Sequence, residues 1–282
     1  MIFNRTHIAR LYYGIAILLL LLRFKSHVLL SQLQNPVLTF VNTDITYIAF
    51  AFLGITKAVA HVKLIALFID VSLFASAIVC FIFPKRRLSS LAFTVLLGIY
   101  IVTGYTLLCF HKHNMTGLWI TSLMFLVSDG EGFGIMFDLT RYYCLFTYFS
   151  SGIWKFYRHV WHYPGHLPVI LKNDAMPYAV EHTVNIHTSI VAWLIIHPGL
   201  MDTMMLFTAV LQLSYFIGFF TRKLDWFFLA FAIAFHLAAF YLLQAYFLDF
   251  SVILLTLLPW RRVKDEINKA HGVMEAKPIY GP

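Results

Sequence analysis

The chain is a succession of long apolar runs separated by short polar joints. Nearly continuous hydrophobic stretches occupy Leu64–Phe83, Leu88–Phe110, Leu139–Phe156, Leu200–Phe220 and Trp226–Leu243. Each is close to the about 20 residues that a helix needs to cross a hydrocarbon core of ~30 Å. Weaker runs are Ile8–Leu30, interrupted by Arg23 and Lys25, and the short Gly117–Val127 and Tyr246–Trp260. Ile45–Ala60 is apolar but carries Lys57, with His61 four residues on and on the same helical face. It predicts a half-helix leading into the second span. Arg5 and Arg10 followed by Leu11–Leu22 look like a signal peptide. Arg23, Phe24 and Lys25 come next instead of a small-residue cleavage site, so an uncleaved first span is expected.

Composition sharpens this picture. Of 282 residues, 60% are hydrophobic and only 12% charged, with mean hydropathy +0.77. Soluble domains carry about 25% charged residues, and a soluble fold could not hide this much apolar surface. Lipid removes the difficulty by solvating the outer faces. The expected fold is all-α, a single polytopic helical transmembrane bundle over residues 1–282 with about eight spans.

The net charge of +8 does not point to nucleic acid, because the basic residues cluster at the ends of apolar runs: Arg5 and Arg10, Lys85 to Arg87, Arg222 and Lys223, then Arg261, Arg262 and Lys264. With both termini in the cytoplasm, eight crossings put every cluster inside, as the positive-inside rule asks. Single charges such as Lys112, Arg158 and Lys172 then fall outside. The short runs can also be re-entrant, which is allowed where protein covers the backbone. This topology places one long connection outside, Tyr157–Pro198, about forty residues with His159, His162, His166, His182, His187 and His197. Connections this long are functional or disordered, and its aromatic and Pro residues favour an ordered, His-rich extracytoplasmic cap. Residues 261–282 form a short cytoplasmic tail.

Candidate chemistry concentrates around Tyr148-Phe-Ser-Ser-Gly-Ile-Trp-Lys155, followed by Trp161 and Gly165. Lys155 ends an apolar span and can simply snorkel to the interface. Alternatively Ser150, Ser151 and Gly152 permit a neighbouring helix to cover it. Covering it favours the neutral amine that a general base requires, with Ser151, Gly152, Trp154 and Trp161 around a lipid pocket. His159, His162 and His166 are spaced i, i+3, i+7, but Pro164 interrupts the helix that would align them, and no HExxH pattern is present. Interfacial, proton-handling and metal-binding readings stay open for these histidines. Asp70, Asp249 and His236 fall inside or beside spans, where ionisable groups are costly and face protein or water. Cys80, Cys109 and Cys144 lie in separate runs without a CxxC. They are expected to be apolar fillers, neither a disulfide framework nor a redox pair.

The Lys155 stretch resembles the YF-x-x-G-x-x-K signature of the transmembrane domain of vitamin K-dependent γ-carboxylase and its bacterial relatives, the HTTM family. Trp161 and Gly165 match the W-x-x-G that follows, one residue too far apart. His236, then Phe247 and the run to Leu258-Pro259-Trp260, are similar to the family's late His span and its final span closing in Pro-Trp. Arg23 resembles its early Arg. The likeness follows most of the chain in order and hydropathy. It implies an inner-membrane protein of bacterial type, with Lys155 as the base that activates a reduced quinone. His159 and His162, on the proton-handling reading, and His236 are the further candidate catalytic residues. In the eukaryotic enzyme the oxygenated quinone then takes a glutamate proton and carbon dioxide adds. Two departures matter. Trp154-Lys155 stands where the carboxylase has Lys-Lys. About twenty residues follow Trp260 here, where the carboxylase continues into a large luminal domain for its polypeptide substrate. Carboxylation of a protein is therefore not expected.

Three functions remain in play on the residues alone. The first is an enzyme acting on a quinone-like or other membrane lipid with Lys155 as base. The second is a non-enzymatic anchor or assembly partner of another envelope protein. The third is a transporter with Asp70, His236 and Asp249 as a proton relay, which the lack of internal repeats disfavours.

Overall fold

A computed structural model describes residues 4–34, 49, 52–107, 115–158, 168–169, 171–173, 186–243 and 247–260. Every regular element among them is helical. They are α1 (Arg5–Lys25), α2 (Ile55–His61), α3 (Lys63–Ile82), α4 (Arg87–Leu107), α5 (Thr116–Leu123), α6 (Glu131–Tyr157), α7 (Ile186–Ile195), α8 (Pro198–Ser214), α9 (Asp225–Leu243) and α10 (Leu248–Ser251). Short 3₁₀ segments extend α8 through Tyr215–Phe219 and α10 through Val252–Leu257.

Five helical stretches are long and apolar enough to cross a membrane: Arg5–Gln32, Lys63–Ile82, Arg87–Tyr105, Pro198–Phe219 and Asp225–Leu242. Their outward faces remain apolar, as with Phe68 on α3 and Phe207 on α8. This is the surface of an integral membrane protein, where lipid takes the place of further protein. α6 has 27 residues, about 40 Å at 1.5 Å per residue. It is long enough to cross, but Asp138 and Arg141 lower its apolarity.

Local sequence explains the helix ends. Asn4 caps α1 by accepting from the Thr6 amide at 2.8 Å. The other end closes in a Schellman turn, with His27 left-handed (φ 56°) and the Val28 amide donating to Arg23 O at 3.1 Å. Half of the expected half-helix is visible: α2 leads through Val62 straight into α3, with Lys57 and His61 both exposed. Residues 45–48, 50 and 51 lie outside the described residues.

Contacts fix the directions. Phe81 packs at Gly14 and the Ser31 amide donates to Asp70, so α3 runs antiparallel to α1. Tyr100 of α4 donates to Val28 O, so α4 returns parallel to α1. The next stretch then goes back down, since the Tyr12 hydroxyl donates to Leu118 O at 2.7 Å and Arg5 donates to Phe125 O at 2.8 Å and to Asp129 at 2.7 Å. The chain thus regains the Arg5 end although α5 itself has only eight residues, about 12 Å. Protein-covered backbone replaces a full-length helix here. Gly117 makes that possible, because a Cβ there would run into the Phe250 backbone.

The core falls into two main parts. Tyr12, Tyr13, Phe93 and Phe125 pack edge-on and tilted between α1, α4 and α5. Cys144, Leu145, Tyr148, Tyr215 and Phe228 pack between α6, α8 and α9. Residues 249, 250 and 252–257 wedge between them, almost wholly buried. A smaller cluster joins Leu171, Val191, Leu194 and Met201. Most of the expected His-rich cap, including His159, His162, His166, His182 and Trp161, lies outside the described residues. Its last part is the apolar helix α7, with Val191 and Leu194 packed on α8. At ten residues, α7 is too short to register as a span.

Candidate functional site

Lys155 lies in the last turn of α6, half-buried. Its Nζ donates to Ser151 Oγ at 2.8 Å, one turn back, and to Gln212 Oε1 at 2.7 Å on α8. Both acceptors are neutral, and no carboxylate among the described residues pairs with the amine. Gly152 brings α8 this close: a Cβ there would stand 2.9 Å from the Leu213 amide nitrogen and 3.1 Å from Ala209 O. Gln212 is the polar member of the buried set on α8, beside Met201 and Ala209. It stands out in the run Leu200–Phe220 and is the partner that a reading focused on charges overlooks.

The Lys155 side chain borders a cavity of about 270 Å³ between α8 and α9. Met201, Met204, Met205 and Thr208 line it from α8, Phe235, Ala238, Ala239 and Leu242 from α9, and Leu171, Leu194 and Phe247 close the remainder. Among lining side chains only Lys155 and Thr208 carry a polar group. Methionines suit an occupant of irregular outline, since their side chains adapt.

His236 stands behind the cavity wall. Its ring contacts Phe235 and Phe247, which line the cavity, at 5.4 and 5.5 Å between centroids. Nε2 meets the Tyr148 hydroxyl at 2.5 Å, and Nδ1 has no partner among the described residues. Tyr148 and Lys155 are seven residues apart on α6, two turns along one face and about 10 Å of rise. The first residue of the YF motif thus touches the late His, and its last residue borders the cavity.

Other expected site residues lie elsewhere. Trp154, expected at the pocket, faces outward instead. It is exposed, stacked on Tyr157 at 5.7 Å, with the Arg158 guanidinium 4.5 Å from its ring centre. Adjacent positions on a helix diverge by about 100°, so Trp154 and Lys155 cannot face the same cavity. Gly152 serves the α6–α8 seam. Asp249 serves an ion pair, because both it and Arg23 are buried and bonded at 2.6 Å. Asp70 accepts the Ser31 amide at 2.8 Å through one oxygen, and the other has no partner among the described residues. Cys80 and Cys144 are buried free thiols; Cys109 lies outside the described residues. A further buried pair went unnoticed in the apolar pattern. Arg141 of α6 donates to both oxygens of Asp225 at 2.8 and 2.5 Å, and to Gly218 O and Thr221 O at 2.9 and 3.1 Å. A lone Arg inside the run Leu139–Phe156 was the available signal. Among the described residues no three His, Cys, Asp or Glu side chains converge. Comparison with protein-family models, with curated proteins and with solved structures gave no match.

Proposed function

We propose that this protein is a bacterial-type inner-membrane protein of the HTTM kind, with eight crossings and cytoplasmic termini, that acts on a quinone-like or other membrane lipid with Lys155 as general base. The observation that carries this reading is an amine with only neutral hydrogen-bond partners at the edge of an otherwise apolar cavity. A snorkelling Lys needs neither partner and no cavity. An ammonium without a counter-ion is costly in apolar surroundings, so the arrangement favours proton release. The cavity lies near the lower end of small-molecule sites. It has room for one ring headgroup or a short length of one chain, not for a whole lipid. Ser151 and Gln212 hold the Nζ in place, and Thr208 offers a hydroxyl to a polar substituent.

No comparable observation favours the transporter. Its three residues are divided among separate contacts, Asp249 with Arg23, Asp70 with Ser31 and His236 with Tyr148.

The test is a matched pair, Lys155→Arg and Lys155→Ala, compared at equal membrane abundance for complementation of a deletion strain. General-base removal costs about 10²–10⁴ in rate, so both variants should fail, because guanidinium keeps its proton near neutral pH. Full function of Lys155→Arg at wild-type abundance would end the base reading and favour the anchor or assembly role.

A further inference from the structure

A second cavity lies at the opposite end of the bundle, where α1 begins and α3 turns into α4. It measures about 330 Å³ and is lined by Thr6, Arg10, Ile82, Phe83, Pro84, Lys85 and Arg86. Its chemistry is the reverse of the first. Three of its seven lining side chains are cations and none is acidic. Arg10, Lys85 and Arg86 make no ion pair with a described carboxylate. Asp129, which lies at this end, is taken by the neighbouring Arg5. The Arg86 guanidinium rests 4.7 Å from the Phe83 ring centre, which holds one cation against the cavity's apolar side. Ile82 and Phe83 are both exposed at the turn.

Three like charges gathered at one concavity repel one another unless an anion joins them. An apolar flank beside the cations asks for more than a simple anion. A phospholipid meets both demands, with phosphate oxygens for the guanidinium forks and chains for the flank. We propose that this cavity seats the headgroup of an anionic phospholipid. Arg10, Lys85 and Arg86 hold the phosphate, Thr6 adds a hydroxyl donor, and Ile82 and Phe83 meet the glycerol and upper acyl carbons. Basic pockets between helices at a membrane surface bind such headgroups.

The full chain, in nanodiscs of phosphatidylcholine with a minor fraction of phosphatidylglycerol, is examined by native mass spectrometry for the lipid it retains. Wild type should retain phosphatidylglycerol over phosphatidylcholine. Each cation near the surface contributes about fivefold. R10Q should therefore lose about fivefold in enrichment, and R10Q/K85Q/R86Q on the order of a hundredfold. All three positions are exposed, and unchanged elution by size exclusion shows that the variants fold. The variant K25Q/K57Q/K63Q, with three exposed charges removed from the other end, should keep wild-type enrichment. Undiminished enrichment in R10Q/K85Q/R86Q overturns the proposal. So does an equal loss in K25Q/K57Q/K63Q, which would mean general surface charge. Displacement of the lipid by millimolar inorganic phosphate also overturns it, in favour of a free-anion site.

Discussion

The two buried ion pairs should respond differently to the same double substitution. Arg23 and Asp249 are bonded at 2.6 Å, each side chain only 6% exposed. Asp249→Leu or Arg23→Leu alone strands a buried charge, and breaking such a pair costs about 3–5 kcal/mol. The double variant removes both charges, and apolar replacements of buried pairs are often near neutral. It should therefore lie within about 1 kcal/mol of wild type, a coupling of roughly 3 kcal/mol or more. Arg141 and Asp225 form the contrasting case. Arg141 also donates to Gly218 O and Thr221 O, capping the end of α8. Arg141→Met/Asp225→Leu leaves two carbonyls without their donor, at about 1–3 kcal/mol each. That double variant should stay about 2 kcal/mol or more below wild type. The assay is reversible unfolding in mixed micelles, titrated with a denaturing detergent and followed by tryptophan fluorescence, with all four members of each cycle measured together. The reasoning is refuted if the Arg23/Asp249 double variant is as unstable as its two singles added. An Arg141/Asp225 double variant at wild-type stability would likewise remove the capping role.

Gly152→Val should destabilise by at least about 1–3 kcal/mol through overpacking, because the nearest obstacles to its Cβ include backbone atoms of α8; a wild-type midpoint in the same micelle titration would contradict the α6–α8 contact. Gly117→Ala should be more damaging still, since the Phe250 backbone cannot yield as a side-chain tip can, and loss of folded protein on size exclusion is the expected readout. Replacing Cys80, Cys109 and Cys144 by Ala should leave a folded protein, at about 1 kcal/mol for each buried sulfur removed. In that background Lys172→Cys should react with an impermeant maleimide in intact cells and Lys223→Cys should not; the reverse pattern would invert the proposed orientation.

Hydropathy made the strong spans legible, because a 20-residue apolar run has few other fates. It marked α5 and α10 only as the short runs Gly117–Val127 and Tyr246–Trp260, and it was silent on α7. Each is too short to cross as a helix, and each depends on neighbours that periodicity cannot identify. The short return through Thr116–Leu123 works only because Gly117 meets Phe250, 133 positions later. The motif ending in Lys155 was visible, and its small residues do bring a helix against it. That helix contributes Gln212, for which no local pattern exists. Trp154 was misplaced because proximity in sequence was taken for proximity in space. The charge pattern is also less one-sided than clusters suggest, since Lys25, Lys57, Lys63 and Arg158 stand at the end opposite Arg10 and Arg86.

The bond between Arg23 and Asp249 joins residues 226 positions apart, and this has a consequence for biogenesis. At about 5–20 residues per second on the ribosome, Arg23 precedes its counter-ion by roughly 10–45 s. Throughout that interval the first helix holds its guanidinium without the Asp249 carboxylate. Lys25 and the Schellman turn lie just beyond it, so the side chain can reach headgroup water while it waits. The wedge from Leu248 to Leu257 must then slide between helices already inserted, bringing the carboxylate with it. Insertion of the early spans and closure of the bundle are therefore separate events, and an insertase or chaperone has a defined interval in which to keep the cleft open.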